Sequence, residues 1–225
     1  MIPMKQAFAV VLALVSLMLA AAGKAKGVSV RFLAERVPTE LGEVVMVGPE
    51  GEVSEALVLP VNHLSAPVKA PARAFKLMMS GGKAALAKVQ LPEEGDLFIV
   101  VLVPAVEGGF KPVVIPSDEP GFKPGDSFIY NHATRDVMGF VGTAKFRLKP
   151  GEGTYLRPAG DKGGVYYDVA FGFEAENKEN RVLSKTRWPV ENHLRSYVFF
   201  FINPTTRDID FRAVDEFVPQ EEPEQ

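Results

Sequence analysis

"RSYVFFFINP", residues 195–204, decides how this chain folds. Side chains alternate along an extended strand, so Tyr197, Phe199 and Phe201 point to one side and Val198 and Phe200 to the other. Both sides are apolar, and left bare such an aromatic ribbon would aggregate. A second stretch, "LFIVVLVP" at 97–104, also lacks polar alternation and reads as a central strand covered on both faces. The cover can come from the layers of one larger sandwich, or from the first half of the chain docking on the second.

Around these two runs, nearly every apolar segment is short, rich in Val, Phe, Ile or Tyr, and closed by Pro or Gly within about ten residues. In the first half these are "VSVRFLA" (28–34), "EVVMVG" (43–48), "SEALVLP" (54–60), "RAFKLMM" (73–79) and "KAALAKVQL" (83–91). Within "RAFKLMM", Phe75, Leu77 and Met79 form the inward face. Ala and Lys make 83–91 the one place where a helix competes, but the preceding Gly81-Gly82 reads as a hairpin turn and favours a strand. The second half offers "FKPVVIP" (110–116), "DSFIYN" (126–131), "DVMGFVG" (136–142), "AKFRLKP" (144–150), "GTYLRP" (153–158), "GVYYDVAFGFEAE" (164–176), "RVLSKTRWP" (181–189) and "IDFRAVD" (209–215). The Gly-Gly-Pro punctuation of "EGGFKP" (107–112) marks the expected division between two domains.

A chain of 225 residues, 47% hydrophobic and 10% aromatic, has enough apolar side chains for one large core or two modest ones. Its net charge of −3 without basic clusters gives no footprint for nucleic acid. The absence of cysteine removes disulfides, thiolate metal sites, cysteine nucleophiles and a lipidated cysteine. The start, "MIPMKQAFAVVLALVSLMLAAAGKAKG", has one early charge at Lys5, an apolar run from Ala7 to Ala22, and small residues at Ala20 and Ala22. It reads as a secretory signal peptide over 1–22, cleaved near Ala22, since the run is shorter than the ~20 apolar residues of a membrane span. No span is expected after cleavage, and disulfide-free export suits a bacterial periplasm or cell surface. The end, "PQEEPEQ" (219–225), is an acidic tail with nothing to bury.

All three histidines follow an asparagine: Asn62-His63, Asn131-His132 and Asn192-His193. Asparagine tolerates left-handed backbone and caps nearby amides, so the repeated step reads as turn chemistry. "FKPGDSFIYN" and "LKPGEGTYLRP" share Lys-Pro-Gly-acid, the combination for a type II turn, because Pro presets φ and Gly accepts φ > 0. Their glycines, Gly125 and Gly151, are expected at two corners at the same end of a sandwich.

"PGDSFIYNH" (124–132) resembles the turn, strand and terminal asparagine ahead of the first copper histidine in cupredoxin-like domains. The blue-copper cysteine is absent, so the resemblance implies at most a thiolate-free site recruiting His132 with His63 or His193. More broadly, "LPVNHLSAPVKAP" (59–71), the two Lys-Pro-Gly segments, "TRWP" (186–189) and "INPTTRDIDFRAVDE" (202–216) resemble a group of exported β-sandwich proteins of verrucomicrobial and related bacteria. That resemblance implies export and a β-fold and brings no activity with it.

Enzyme signatures are missing: no Gly-x-Ser-x-Gly elbow, no phosphate-binding glycine loop, and in "EAENKENR" (174–181) only the composition of a solvated hairpin tip. The single tryptophan, Trp188, reads as a core anchor at a strand end, with a sugar-stacking platform as the other reading. The sequence thus points to an all-β protein of immunoglobulin-like sandwich type. Two small sandwiches, 28–105 and 110–218, pack together, with one continuous sandwich as the alternative. No catalytic, cofactor or metal residue stands out. The expected role is a non-catalytic interaction or structural module acting on a protein or glycan at the cell envelope. A thiolate-free metal-binding protein and an envelope glycan hydrolase are the alternatives.

Overall fold

The computed structural model describes residues 27–117 and 120–219. The expected leader at 1–22 and all but the first residue of the expected tail at 219–225 lie outside the described residues. Regular structure among the described residues is entirely β, in sixteen strands forming four four-stranded sheets.

The first sandwich has an inner sheet ordered β4 (Val68–Lys69), β1 (Ser29–Ala34), β7 (Leu97–Pro104), β8 (Phe110–Pro116). Its outer sheet is ordered β3 (Leu57–Val58), β2 (Glu43–Val47), β5 (Ala74–Met79), β6 (Ala85–Gln90). The second sandwich has an inner sheet β12 (Gly153–Leu156), β9 (Ser127–Asn131), β15 (Leu194–Ile202), β16 (Ile209–Phe217). Its outer sheet is β11 (Ala144–Leu148), β10 (Val137–Val141), β13 (Tyr166–Glu174), β14 (Asn180–Pro189). Adding eight to every strand number of the first sandwich gives the order of the second. The unusual parallel pair recurs too, β1 with β7 and β9 with β15. The chain is therefore a tandem repeat of one eight-strand topology.

The two inner sheets pack back to back, giving four layers and three apolar seams. Phe32, Met46, Leu77, Phe98 and Val100 lie inside the first sandwich, and Ile129, Val137, Phe171, Val198 and Phe200 inside the second. Leu33, Ile99, Val101, Phe128, Tyr130, Tyr197 and Phe199 fill the seam between them. Both apolar runs are thereby explained. Along β15, Tyr197 and Phe199 face the first sandwich while Val198 and Phe200 face their own outer sheet, and along β7 Ile99 and Val101 oppose Phe98 and Val100 in the same way. Docking of the halves, not a single enlarged sandwich, supplies the second cover.

Three expectations need correction. The Gly108-Gly109 punctuation is a hairpin tip, not a division: the Ala105 amide bonds the Gly109 carbonyl (3.1 Å), and Phe110–Pro116 pairs with β7 within the first sandwich. The same residues that end a domain also turn a hairpin, and the chain crosses to the second sandwich only after β8. Met79 is 40% exposed instead of inward, because the β5–β6 register slips between Leu77 and Met78 and the bulge turns the strand end outward. The two Lys-Pro-Gly turns also lie at opposite ends of the second inner sheet. Gly125 precedes the start of β9, whereas the Gly151 amide bonds the Asn131 carbonyl at its finish (2.8 Å). Three strands, β9, β10 and β11, run between them, and an odd number returns the chain to the far end.

The turns themselves are as expected. Gly125 and Gly151 have φ of 90° and 82°. Asp126 and Glu152 donate their amides to the Lys123 and Lys149 carbonyls (3.0 and 3.1 Å), and their carboxylates accept the lysine amides in return (both 2.8 Å). The 83–91 segment contains strand β6, and 174–181 spans the end of β13, the tip at 175–179 and the start of β14.

Candidate functional site

The structure separates the histidines. His63 is exposed, with Nδ1 2.7 Å from Asn62 Oδ1. His193 is exposed and stacks on Phe217, ring centres 6.4 Å apart. His132 donates its amide to the Phe200 carbonyl, which sets it seven residues along β15 from His193, roughly 20 Å at strand rise. No three potential metal ligands of the His, Asp and Glu type cluster among the described residues. Asn131, fully buried, holds its corner as the turn reading requires: Nδ2 donates to the Arg135 and Leu148 carbonyls (2.8 and 3.0 Å) and Oδ1 accepts the Ala133 amide (2.9 Å).

Two polar braces cross the seam between the sandwiches. At one, Glu216 on β16 binds Arg31 of β1 and Arg195 of β15 (3.1 Å) and accepts the Tyr197 hydroxyl (2.7 Å). Arg195 also donates to the Ser117 carbonyl (2.8 Å) and lies 4.9 Å from the centre of the Phe122 ring. Burial first, and then the charge and hydrogen bond of Glu216, push the Tyr197 phenol well above the usual tyrosine range. At the other brace, His132 Nδ1 meets Glu35 Oε2 at 2.8 Å, and Arg212 donates to the Ala34 carbonyl (3.0 Å). Burial pulls the Arg212 guanidinium below its ordinary range, an effect that nearby Glu35 opposes. Most of these ionic groups are buried and engaged with one another across the docking seam; at the second brace Glu35 and His132 also border a hollow of about 280 Å³.

Open space with chemistry on its walls lies in the second sandwich. The registers place Ser127 opposite Ser196 and Ser196 opposite Asp215, one polar row across the inner sheet. The Ser196 hydroxyl donates to Asp215 Oδ1 (2.6 Å). Facing this row from the outer sheet are Tyr167 and Trp188, directly opposed cross-strand partners on β13 and β14. Trp188 meets Phe171 edge to face at 5.5 Å, so the ring is anchored on the core while it also lines the cleft. Glu191 stands at the rim, and the cleft holds about 230 Å³. The two sequence readings of Trp188, core anchor and exposed platform, are thus both present in one side chain.

The tandem repeat supplies an internal control. The Glu35 amide bonds Leu102 and the His132 amide bonds Phe200 at matching places, and counting back the same number of residues equates Val30–Phe98 with Ser127–Ser196. The same row in the first sandwich runs Val30, Phe98, Pro116, with Val30 and Phe98 fully buried. There large side chains plug the gap between the sheets. In the second repeat serine and aspartate stand instead, and the gap stays open.

Sequence reasoning missed Ser127, Ser196 and Asp215. Their signal was a small polar residue interrupting the inward face of "DSFIYN", "RSYVFFF" and "FRAVD", which gains meaning only when the three strands are set in register. Other hollows lack this pairing: one of about 360 Å³ is lined mainly by apolar residues such as Val37, Leu41, Leu86 and Phe110, with Arg36 and Thr39 beside them, and one of about 410 Å³ lies beside Phe75, Lys76 and Lys88. No helix among the described residues is long and apolar enough to cross a membrane. No protein-family model matches this sequence, and no curated protein matches it.

Proposed function

We propose that this chain is an exported, non-catalytic binding module of the bacterial cell envelope, which takes a glycan or protein ligand in the cleft between Tyr167–Trp188 and Ser127–Ser196–Asp215. The observation that carries this reading is the opposition of an aromatic wall to a polar row, at a level that the first repeat fills with Val30 and Phe98. Aromatic faces stack on apolar ligand surface while hydroxyl and carboxylate groups fix its orientation. The cross-braced seam suits such a role, because a stiff scaffold keeps the walls at fixed separation. A non-catalytic role is supported by the wall chemistry: no imidazole lines the cleft, and the Ser196 hydroxyl is directed to Asp215.

Trp188 is the only tryptophan, so its fluorescence reports the cleft by itself. Titration with soluble peptidoglycan fragments and with tryptophan-free peptides from envelope protein extracts is expected to shift its emission for one of the two. Unchanged emission with both, despite retention of either on the immobilised protein, would move the site elsewhere. Export rests on the leader-like N-terminus, and intact mass of the secreted protein should place its first residue near Gly23. Two acidic residues lining one cleft, Glu191 and Asp215, favour an envelope glycan hydrolase as the second reading. Release of reducing ends that stops on Asp215→Asn or Glu191→Gln would promote it over the first.

A further inference from the structure

We infer that the Trp188 cleft selects a positively charged amino sugar, a single pyranose ring bearing a free ammonium group at the end of a glycan. The inference rests on the reading that this cleft is the ligand site, and it specifies the ligand's charge and size.

Charge comes first. Glu191 and Asp215 line the cleft, and no lysine or arginine does. Arg157, next to the lining residue Pro158, is held by both oxygens of buried Asp126 (2.7 and 2.6 Å). Arg187, next to Trp188, points to the opposite face of β14 by strand alternation. There it covers the Tyr166 ring at 4.6 Å and pairs with Asp168 at 3.6 Å. The cleft is therefore lined by two acidic residues and two aromatic rings with no internal counter-charge. An ammonium group satisfies both, since the ring quadrupoles of Trp and Tyr attract cations. A uronate or phosphate would meet like charge with nothing to offset it.

Size and hydroxyl chemistry narrow the choice. About 230 Å³ is below the roughly 300–1,000 Å³ of sites for drug-sized ligands, which suits one ring and not a run of them. The Ser127 hydroxyl on the floor can donate or accept, and the carboxylate of Asp215 accepts from Ser196 with further lone pairs left for ligand O–H or N–H groups. A lysine side chain would offer the ammonium but no ring to cover Trp188 and no hydroxyls for the serine row, so the amino sugar is the better match.

The test is a Trp188 emission titration of the intact protein at pH 6 and low salt with glucosamine, N-acetylglucosamine, glucuronic acid and trilysine. Glucosamine is expected to shift the emission, with N-acetylglucosamine at least tenfold weaker and glucuronic acid without effect. Asp215→Asn should weaken glucosamine about tenfold and N-acetylglucosamine by a smaller factor, and added salt should weaken glucosamine and not N-acetylglucosamine. N-acetylglucosamine or glucuronic acid binding as tightly as glucosamine would overturn the charge selection while leaving a glycan site in place. Trilysine binding more tightly than glucosamine would overturn it in favour of a peptide. No response to any of the four probes would remove the amino-sugar inference, and the binding reading with it if the envelope extracts also fail.

Discussion

Replacing Glu216 by glutamine keeps the shape of the side chain and removes the one negative charge that joins the sandwiches at their first brace. Glu216 and Arg195 are only 4% and 8% exposed, and Arg31, reaching across from β1, is 23% exposed. Breaking a buried pair by neutralising one member costs about 3–5 kcal/mol, because the partner charge stays buried without compensation. Two features put the expected loss at the lower end. Arg195 keeps the Ser117 carbonyl and the Phe122 ring, and Arg31 keeps the Ser65 carbonyl (2.9 Å) and some contact with water. We therefore expect Glu216→Gln to lose about 3 kcal/mol. In a chain of this size that lowers the melting temperature by roughly 6–12 °C. Urea unfolding followed by circular dichroism gives the free energy. A cycle with Arg31→Met isolates the term across the seam, expected to exceed about 1 kcal/mol, within the range for residues in direct contact. A loss below about 0.5 kcal/mol with no coupling to Arg31 is what an exposed pair would give. That result would refute the docking of β1 against β15 and β16.

Three further changes probe other layers. Phe199→Ala empties a fully buried position in the seam and should cost about 3–5 kcal/mol by denaturant unfolding. Asn131→Ala leaves the Arg135 and Leu148 carbonyls and the Ala133 amide without their buried partner, and should cost roughly 2–4 kcal/mol. Tyr197 holds its proton in the folded chain where an unfolded tyrosine releases it near pH 10. The stability associated with it is therefore present below pH 10 and lost as pH rises. Relative to Tyr197→Phe, the unaltered protein should lose up to about 1.4 kcal/mol per pH unit above that point, read from urea midpoints between pH 8 and 11.5.

How much of this was legible in the sequence depends on the range of the pattern. Period-two alternation and Pro/Gly punctuation are local, and every stretch read as a strand contains one. The strand they missed, β4, has two residues between prolines and leaves no period to detect. The two-sided apolar runs at 97–104 and 195–204 also announced that something must cover both faces. What covers them could not be read, because pairing and docking join residues far apart in the chain. The Glu216 brace gathers positions 31, 195, 197 and 216, and the cleft gathers 127, 167, 188, 196 and 215. Gly108-Gly109 misled for a different reason: a hairpin tip and a domain boundary require the same backbone freedom. The Lys-Pro-Gly corners were right as turns and wrong as neighbours, since a turn fixes its own four residues and says nothing of how many strands follow.

The tandem repeat explains why the seam is pinned by charges and why the cleft lies in one half only. Apolar burial stabilises the contact of two similar sheets but is non-directional, so by itself it leaves their relative orientation weakly specified. Where related faces meet so that corresponding positions touch, as at an axis of approximate two-fold symmetry, a residue lies close to its own counterpart, which is unfavourable for a charge. The positions Glu35 and His132 show the solution. They correspond in the repeat, each amide bonding the matching residue of the parallel strand, and yet they differ in type and hydrogen-bond to each other at 2.8 Å. Divergence between the halves thus converts a self-repelling position into a complementary one, and the Arg31–Glu216–Arg195 brace adds a second fixed point with no symmetric partner among the described residues. With orientation set at these points, the distal seam of each sandwich is free to differ. In the first half Val30 and Phe98 close it, and in the second Ser127, Ser196 and Asp215 hold it open beneath Trp188. Restoring the first-half residues in the second, as Ser127→Val with Ser196→Phe, asks the structure to fill its own cleft with side chains that the equivalent row already accommodates.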